Sequence, residues 1–216
     1  MKKLQSAALL LDFWLGQGVR AAAIPAAVLS RPSNAGQAKR HATLWERFLI
    51  FSRVLNPISV SLERFHHAQA DASSGYSTAL AEMRSGRKRS HWIWYVFPQL
   101  AGLGRSATAQ FFGIRDLDEA CEYLRDPVLR ARYEEITTAV AEKLEAGVPV
   151  ERLMGGPTDT LKLASSLTLF HAAASQLGDG APDALARRCD AILRITALQG
   201  YPACSLTAKQ LSSPGR

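Results

Sequence analysis

Residues 126–147 read DPVLRARYEEITTAVAEKLEAG, and they carry the local signals of one long α-helix. Asp126 is a favoured N-cap residue, and Pro127 suits the first helical position, where a missing N–H costs no hydrogen bond. Gly147 is typical of the position just after a helix, where the backbone turns left-handed. The segment therefore predicts a capped helix with one buried face, made of apolar residues that recur every three or four positions: Leu129, Tyr133, Ile136, Val140 and Leu144.

Helix signals continue on both sides of this segment. Asp116 and Glu119 have the spacing of a capping box, and Gly86 and the pair Gly155-Gly156 are placed to end further helices. Apolar periodicity between such signals predicts the other helices. They cover residues 43–55, 62–72, 76–85, 150–154, 158–174 and 181–198, and a further helix after Asp116 contains Ala120, Tyr123 and Leu124.

Residues 91–97 (HWIWYVF) are the one segment whose aromatic and β-branched content suits a strand. Ser90 would serve equally well as the N-cap of a buried helix, and no second strand is available for pairing. We therefore predict a helix here and an all-α fold. The expected architecture is a compact multihelical single domain of about seven or eight helices, with an N-terminal extension.

The composition describes a chain that can bury a core. Hydrophobic residues make up 47% of the 216 residues and charged residues 21%, which excludes wholesale disorder. No apolar run approaches the ~18 residues of a membrane span. Cys121, Cys189 and Cys204 are widely spaced and form no CxxC pattern, so neither a disulfide framework nor a zinc site is predicted. We expect a cytoplasmic monomer without a metal or a cofactor.

The basic charge is concentrated in the first quarter of the chain. Residues 1–60 hold eight Lys and Arg against two acids, whereas residues 61–216 hold eighteen against seventeen. A nearly neutral body argues against nucleic acid as the partner. We divide the chain into an N-terminal extension (1–60), a helical domain (61–211) and a short disordered tail (212–216). The acid-poor extension fits three interpretations: a targeting segment for an organelle or export, an accessory tail or misplaced start, and a structural element.

Residues 84–106 (RSGRKRSHWIWYVFPQLAGLGRS) combine cations, indole rings and glycines in one short segment. A guanidinium group can donate two parallel hydrogen bonds to the oxygens of one phosphate. Glycines let backbone N–H groups approach an anion, and an indole offers a flat face to a base or a sugar. The structural alternative is that the aromatics belong to the core and the cations to a solvated turn. The predicted ligand-binding residues of this segment are Arg87, Lys88, His91, Trp92, Trp94, Gln99, Gly102, Gly104 and Arg105.

Residues 155–171 (GGPTDTLKLASSLTLFH) place a polar stripe on an apolar helix. Asp159, Lys162 and Ser166 share one helical face, and Ser165 lies beside it. A charge that is turned inward needs a partner or a ligand, because burying it alone is costly. The structural alternative is that Thr158 or Asp159 caps the helix and that Lys162 pairs with Asp159 at the surface. In a catalytic site, Asp159 would be the general base or an electrostatic group, and Lys162 would tune it.

The two segments together resemble a known family. The patterns RxGRKxSHWxWxxFPQLxGLGRS at residues 84–106 and DxLKLxSSLTLF at residues 159–170 resemble the domain-of-unknown-function family 1810 of bacteria and fungi, over about residues 62–211. The resemblance implies a single, mostly helical cytosolic domain, and it implies no reaction. Some members carry an automatic calpastatin label, which does not fit an apolar, well-capped body. Ala164 stands where the family commonly has a basic residue, so the second segment has one cation fewer.

We expect the two segments to meet in one cleft that binds a phosphorylated or nucleotide-like small ligand. An ADP-ribose-type ligand is suggested by analogy with other small helical bacterial domains. The alternative is a non-catalytic module in which residues 84–89 and the neighbouring aromatics contact a protein or nucleic-acid partner. A shared cleft favours the first hypothesis, and segments on opposite faces favour the second.

Overall fold

The computed structural model describes residues 57–178 and 183–212, and in these ranges it confirms the all-α fold. The described residues form ten helices where the sequence predicted seven or eight, and the helices at residues 107–111 and 205–212 are the two that were not predicted. The helices are α1 (Pro57–Gln69), α2 (Tyr76–Arg84), α3 (Ile93–Val96), α4 (Ala107–Phe111), α5 (Leu117–Arg125), α6 (Pro127–Glu145), α7 (Val150–Met154), α8 (Pro157–Leu177), α9 (Ala184–Leu198) and α10 (Ser205–Ser212).

Helix α6 forms as its local signals predict. The Asp126 carboxylate accepts the backbone N–H groups of Val128 at 3.0 Å and Leu129 at 2.9 Å, and Pro127 occupies the first turn. Gly147, two residues past the end of the helix, has φ 82°. The five residues of the predicted apolar face are all buried. The helix is therefore fixed at both ends by local chemistry and along one side by the core.

Helix α5 begins at the predicted cap but is anchored differently from a capping box. Asp116 accepts the N–H of Glu119 at 2.8 Å, as expected. The Glu119 carboxylate accepts the N–H of Arg115, one residue before the cap, at 2.8 Å. It also pairs with Arg64 of α1 at 2.8 Å, and its own side chain is fully buried. The predicted local motif therefore also joins two helices.

Helix α8 lies at the centre of the described helices and packs against α5, α7, α9 and α10. Its Phe170 ring lies 4.4 Å from the ring centroid of Tyr133 on α6 and 5.0 Å from that of Tyr123 on α5. Phe97 extends this aromatic cluster on the other side of Tyr133, at 5.6 Å. Tilted and edge-on pairs at such distances are the preferred arrangements of aromatic rings. These rings form the middle of the core.

The segment 91–97 is helical rather than extended, as predicted, but only over the single turn of α3. The N-cap position is taken by Trp92, and Ser90 does not cap the helix. The prediction of Ser90 as the cap is wrong, because its hydroxyl donates to the Glu82 carboxylate instead. After α3, an isolated parallel bridge joins Leu100 to Ile114 and brackets the loop that contains α4.

Within the described helices, none is both long and apolar enough to span a bilayer. Helix α1 begins at Pro57, four residues before the predicted start of the helical domain. Three predictions fall wholly or partly outside the described residues: the rest of the N-terminal extension, the helix at residues 43–55, and residues 213–216 of the tail. The division into extension, domain and tail stays a prediction.

Candidate functional site

The two unusual segments meet at Asp159. The carboxylate Oδ2 lies 2.6 Å from the Lys88 Nζ, and Oδ1 lies 2.8 Å from the Lys162 Nζ. Lys88 belongs to the loop between α2 and α3, whereas Asp159 and Lys162 lie in the first two turns of α8. We call these three residues the charged cluster. It joins parts of the chain that are far apart in sequence.

The loop that carries Lys88 is held against the turn between α7 and α8. The Lys88 N–H donates to the Leu153 carbonyl at 2.7 Å. Gly155 ends α7 with φ 77°, and a Cβ there would lie 3.1 Å from the Lys88 carbonyl oxygen. Glycine therefore serves both the left-handed turn and the close approach of the two backbones. The Gly155-Gly156 signal had predicted the turn but not the approach.

Glu82, near the end of α2, organises the rest of this loop. Its carboxylate accepts the backbone N–H groups of Arg89 at 2.8 Å and Ser90 at 3.1 Å, the indole N–H of Trp92 at 2.7 Å, and the Ser90 hydroxyl. Burial raises the pKa of Glu82, but these donors outweigh it and hold the pKa below its ordinary value. Sequence analysis missed Glu82, because an acid in the last turns of a helix carries no distinguishing signal.

Each ammonium of the charged cluster lies over an indole ring. The Lys88 Nζ is 5.1 Å from the centroid of Trp92, and the Lys162 Nζ is 4.5 Å from that of Trp94. Both distances are within the range of cation–π attraction. Trp92 is fully buried, as the structural alternative had it, whereas Trp94 is only partly buried. Of the two rings, Trp94 is therefore the one that a ligand would reach.

The electrostatics of the charged cluster keep Asp159 ionised. Burial raises the pKa of this carboxyl, but the hydrogen bonds and charges of Lys162 and Lys88 outweigh it, so the pKa lies below its ordinary value. The cap of α8 is Gly156 and involves no side-chain hydrogen bond, so Asp159 does not cap the helix. The predicted pair with Lys162 is present. Two ammonium groups facing one carboxylate leave one excess positive charge.

The predicted serines of α8 lie away from the charged cluster. The Ser165 hydroxyl is 2.9 Å from that of Thr207 on α10, and the Ser166 hydroxyl is 3.1 Å from that of Tyr133 on α6. Both serines are buried and engaged in contacts between helices. The spacing of Ser166 relative to Asp159 predicted a shared helical face. Ser166 lies seven residues further along the helix, however, and is therefore in the core rather than at the open end.

The other predicted residues of the first segment divide into exposed cations and a structured loop. Arg87, His91 and Arg105 are exposed, and Gln99 is partly buried. A Cβ on Gly104 would lie 2.4 Å from the Cβ of Ala109, so this glycine is required by the packing of α4. Gly102 has φ 88°, and Ser106 caps α4 by accepting the Ala109 N–H at 3.1 Å. The glycines thus serve this turn.

Two further features bear on what the fold can bind. Within the described ranges, no group of three or more His, Cys, Asp or Glu is placed to hold a metal ion. A groove of about 670 Å³ lies apart from the charged cluster and contains no predicted site residue among those that line it. Its lining comes from α1, α3, the end of α4 and a connecting loop: Glu63, Arg64, His67, Ala68, Asp71, Ser74, Tyr95, Phe111 and Phe112.

Comparison with known proteins supports the fold. A family described as "Protein of unknown function (DUF1810)" matches residues 59–191. The conserved hypothetical protein Rv1873 from Mycobacterium tuberculosis, known from a crystal structure, is 37% identical. The match covers 71% of this chain and 97% of that chain, with a TM-score of 0.59. No curated protein matches the sequence.

Proposed function

Because the chain belongs to the DUF1810 family, whose description assigns no function, we propose a function from the geometry of the charged cluster alone. The domain binds a phosphorylated or nucleotide-like small ligand of ADP-ribose type beside Lys88, Lys162 and Trp94. The single observation that carries this proposal is the convergence of Lys88 and Lys162, from two distant segments, on one carboxylate. This arrangement concentrates positive charge next to a partly exposed indole.

The charged cluster offers a phosphate two kinds of contact. Lys162 donates one hydrogen bond to Asp159 and keeps further N–H groups for an anion, since an ammonium has three donors. Hydrogen bonds between an ammonium and a phosphate are charge-assisted and stronger than neutral ones. Trp94, beneath Lys162, would pack against the flat part of the ligand. Arg87, His91 and Arg105 are exposed cations or imidazoles of the same segment that would attract an anion from solution.

The proposal assigns binding and no reaction. A carboxylate with a lowered pKa is a weak general base at neutral pH, because efficient general bases have a pKa close to the operating pH. Of the two roles predicted for Asp159, the electrostatic one is therefore favoured. Ser165 and Ser166 are engaged with other helices, and the proposal gives them no contact with the ligand.

A thermal-shift titration tests the proposal. ADP-ribose, nucleotides and sugar phosphates are added to the full chain, and at least one is expected to raise the Tm in proportion to its binding. Lys162→Gln should abolish that rise. The matched control is Arg194→Gln, which also removes one positive charge but from a side chain 79% exposed on α9. No shift with any ligand, or an equal loss in both variants, would contradict the proposal.

The exposed basic side chains also support a second candidate function. Arg87, Arg89 and His91 lie at the surface of one loop, next to the cluster rather than inside it. A protein or nucleic-acid partner bound through them would show steep salt dependence. Salt-sensitive binding without any response to small phosphorylated ligands would favour this interaction module over the small-ligand site.

We further propose that the protein is a cytoplasmic monomer. The location is supported by the free thiols of Cys121, Cys189 and Cys204, which suit a reducing compartment. Light scattering after size-exclusion chromatography tests the oligomeric state, and fluorescent tagging of the full chain tests the location. A dimer mass or an organellar signal would contradict the respective statement.

A further inference from the structure

We infer that Asp159 is an internal counter-anion: its carboxylate occupies the anion site of the free protein, and a phosphorylated ligand must displace it from Lys88 and Lys162. This inference rests on the proposed function, because it concerns the same site. It assigns Asp159 the role of a competitor that sets the affinity of the site, rather than that of a group that contacts the ligand.

The hydrogen bonds of Asp159 support this role. Both carboxylate oxygens are used, one by each ammonium, at 2.6 Å and 2.8 Å. These are the distances of charge-assisted hydrogen bonds, which two oxygens of a phosphoryl group would form equally well. Asp159 does not cap α8, since the N-cap is Gly156, and it lies in the first turn, where the helix dipole favours an acid. The carboxylate thus fills the place that a bound anion would take.

The two lysines are held unequally, which indicates how displacement would proceed. Lys88 has a side chain only 8% exposed, and its Nζ also donates to the Ser90 carbonyl at 2.6 Å. Lys162 is 20% exposed, and Asp159 is its one hydrogen-bond partner within the described residues. An incoming phosphate would therefore engage Lys162 first and reach Lys88 only when the carboxylate moves aside. Lys88 is the fixed part of the site and Lys162 the movable part.

Removing the carboxylate charge should make this competition visible. Asp159→Asn leaves two ammonium groups close together, one of them nearly buried, without their counter-ion. Like charges in such a place repel, and a buried charge without a partner is costly. An external dianion relieves both effects. A phosphate should therefore bind the variant at least about tenfold more tightly than the wild type, since it replaces a charge-assisted contact without competition.

The experiment measures binding of inorganic phosphate to the full chain by thermal shift, at constant ionic strength with chloride as the reference salt. The proteins are the wild type, Asp159→Asn and Asp159→Asn combined with Lys88→Gln. The matched control is Asp190→Asn, which removes an aspartate paired with Arg194 at 2.6 Å on the exposed side of α9. Tighter phosphate binding by Asp159→Asn, lost again in the double variant and absent from the control, is the expected result.

Unchanged or weaker phosphate binding by Asp159→Asn overturns the inference. If this variant does not fold in chloride, refolding by phosphate supports the inference and failure to refold overturns it. The proposed function fails separately: then neither the wild type nor Asp159→Asn responds to phosphate or to any ligand of the titration described above. A wild type that binds phosphorylated ligands as tightly as Asp159→Asn leaves the proposed function standing and removes only the role of Asp159.

Discussion

Gly155 allows the loop that carries Lys88 to approach the turn between α7 and α8. Its backbone adopts a left-handed conformation, and its missing Cβ leaves room for the carbonyl group of Lys88. Gly147 has nearly the same conformation, with φ 82°, but no atom lies within 4 Å of the place where its Cβ would be. The two glycines therefore separate the cost of the conformation from the cost of the contact.

We expect Gly155→Ala to destabilise the protein more than Gly147→Ala. Each substitution forces a residue with a Cβ into the left-handed region, at about 1–2 kcal/mol. Only Gly155→Ala also crowds the Lys88 carbonyl, at 3.1 Å. Urea denaturation of both variants measures the difference in the free energy of unfolding. Equal losses would show that the loop carrying Lys88 moves aside without cost.

Individual site residues could be predicted from sequence only where their chemistry is conspicuous. Asp159 and Lys162 share a helical face, and their pairing follows from that spacing. The contact of Lys88 with them depends on how a loop packs, which no local pattern encodes. The burial of Trp92 depends on Glu82, an acid that looks ordinary in the sequence but accepts the indole N–H. A polar partner for a buried indole is expected in general, but its identity is a matter of tertiary structure.

At the scale of elements, α1 is fastened to α5 by a buried ion pair. Glu119 of α5 is fully buried and accepts hydrogen bonds from the Arg64 guanidinium at 2.8 Å and from Arg115. Arg64 also donates to the Gly113 carbonyl at 3.0 Å, just before α5 begins. The carboxylate thus satisfies donors from two separate helical regions. Its loss would remove an ionic hydrogen bond from a guanidinium that is largely buried.

We expect Glu119→Ala to lower the free energy of unfolding by about 3–5 kcal/mol, which is the usual cost of removing one partner from a buried pair. The matched control is Glu122→Ala on the same helix. Glu122 pairs with the half-exposed Arg125 three residues away, and such a pair contributes about 0.2–0.5 kcal/mol. Chemical denaturation followed by circular dichroism compares the two. Similar losses would mean that Glu119 does not join the helices.

The helices that could be predicted from the sequence are those stabilised by residues close to them in the chain. Helices α5, α6 and α7 follow from caps, prolines and glycines within their own sequence. Helix α10 was not predicted from local sequence. A distant residue holds its start, because the Cys204 N–H donates to the Thr168 hydroxyl of α8 at 2.9 Å. Helix α4 is one short turn in a loop that the bridge between Leu100 and Ile114 closes. Ser106 caps α4 locally, but a helix of 5 residues is too short to show an apolar period.

At the scale of the whole molecule, three partly buried carboxylates with lowered pKa values contribute to the response to acid. Glu82, Asp159 and Asp183 all have a pKa below the ordinary value in the folded protein, because donors and cations outweigh the effect of burial. The unfolded chain therefore takes up protons first as the pH falls. The stabilisation by these groups is complete above the ordinary values of 4.5 for Glu82 and 3.8 for the aspartates, and it is lost as the pH falls through the folded pKa values.

We expect the free energy of unfolding to decrease as the pH falls below 4.5, the ordinary value for Glu82. Glu82→Gln should make this decrease shallower, because one group that protonates only on unfolding has been removed. Glu142→Gln, on the exposed side of α6, is the control and should follow the wild type. Urea denaturation at a series of pH values measures the slope. Parallel curves for all three proteins would rule out Glu82 as a contributor.

The ion pair between Lys88 and Asp159 closes a loop of about 70 residues. Closing so long a loop lowers the configurational entropy of the chain, and the packing of the intervening helices offsets this loss. A chain emerging from the ribosome presents residues 84–106 well before the first turn of α8 has been synthesised. The ammonium of Lys88 then stays hydrated until the helices between Lys88 and Asp159 have packed together. Assembly of the ion pair is therefore a late event in biogenesis, and a truncated product ending before α8 would contain the cation without its acid.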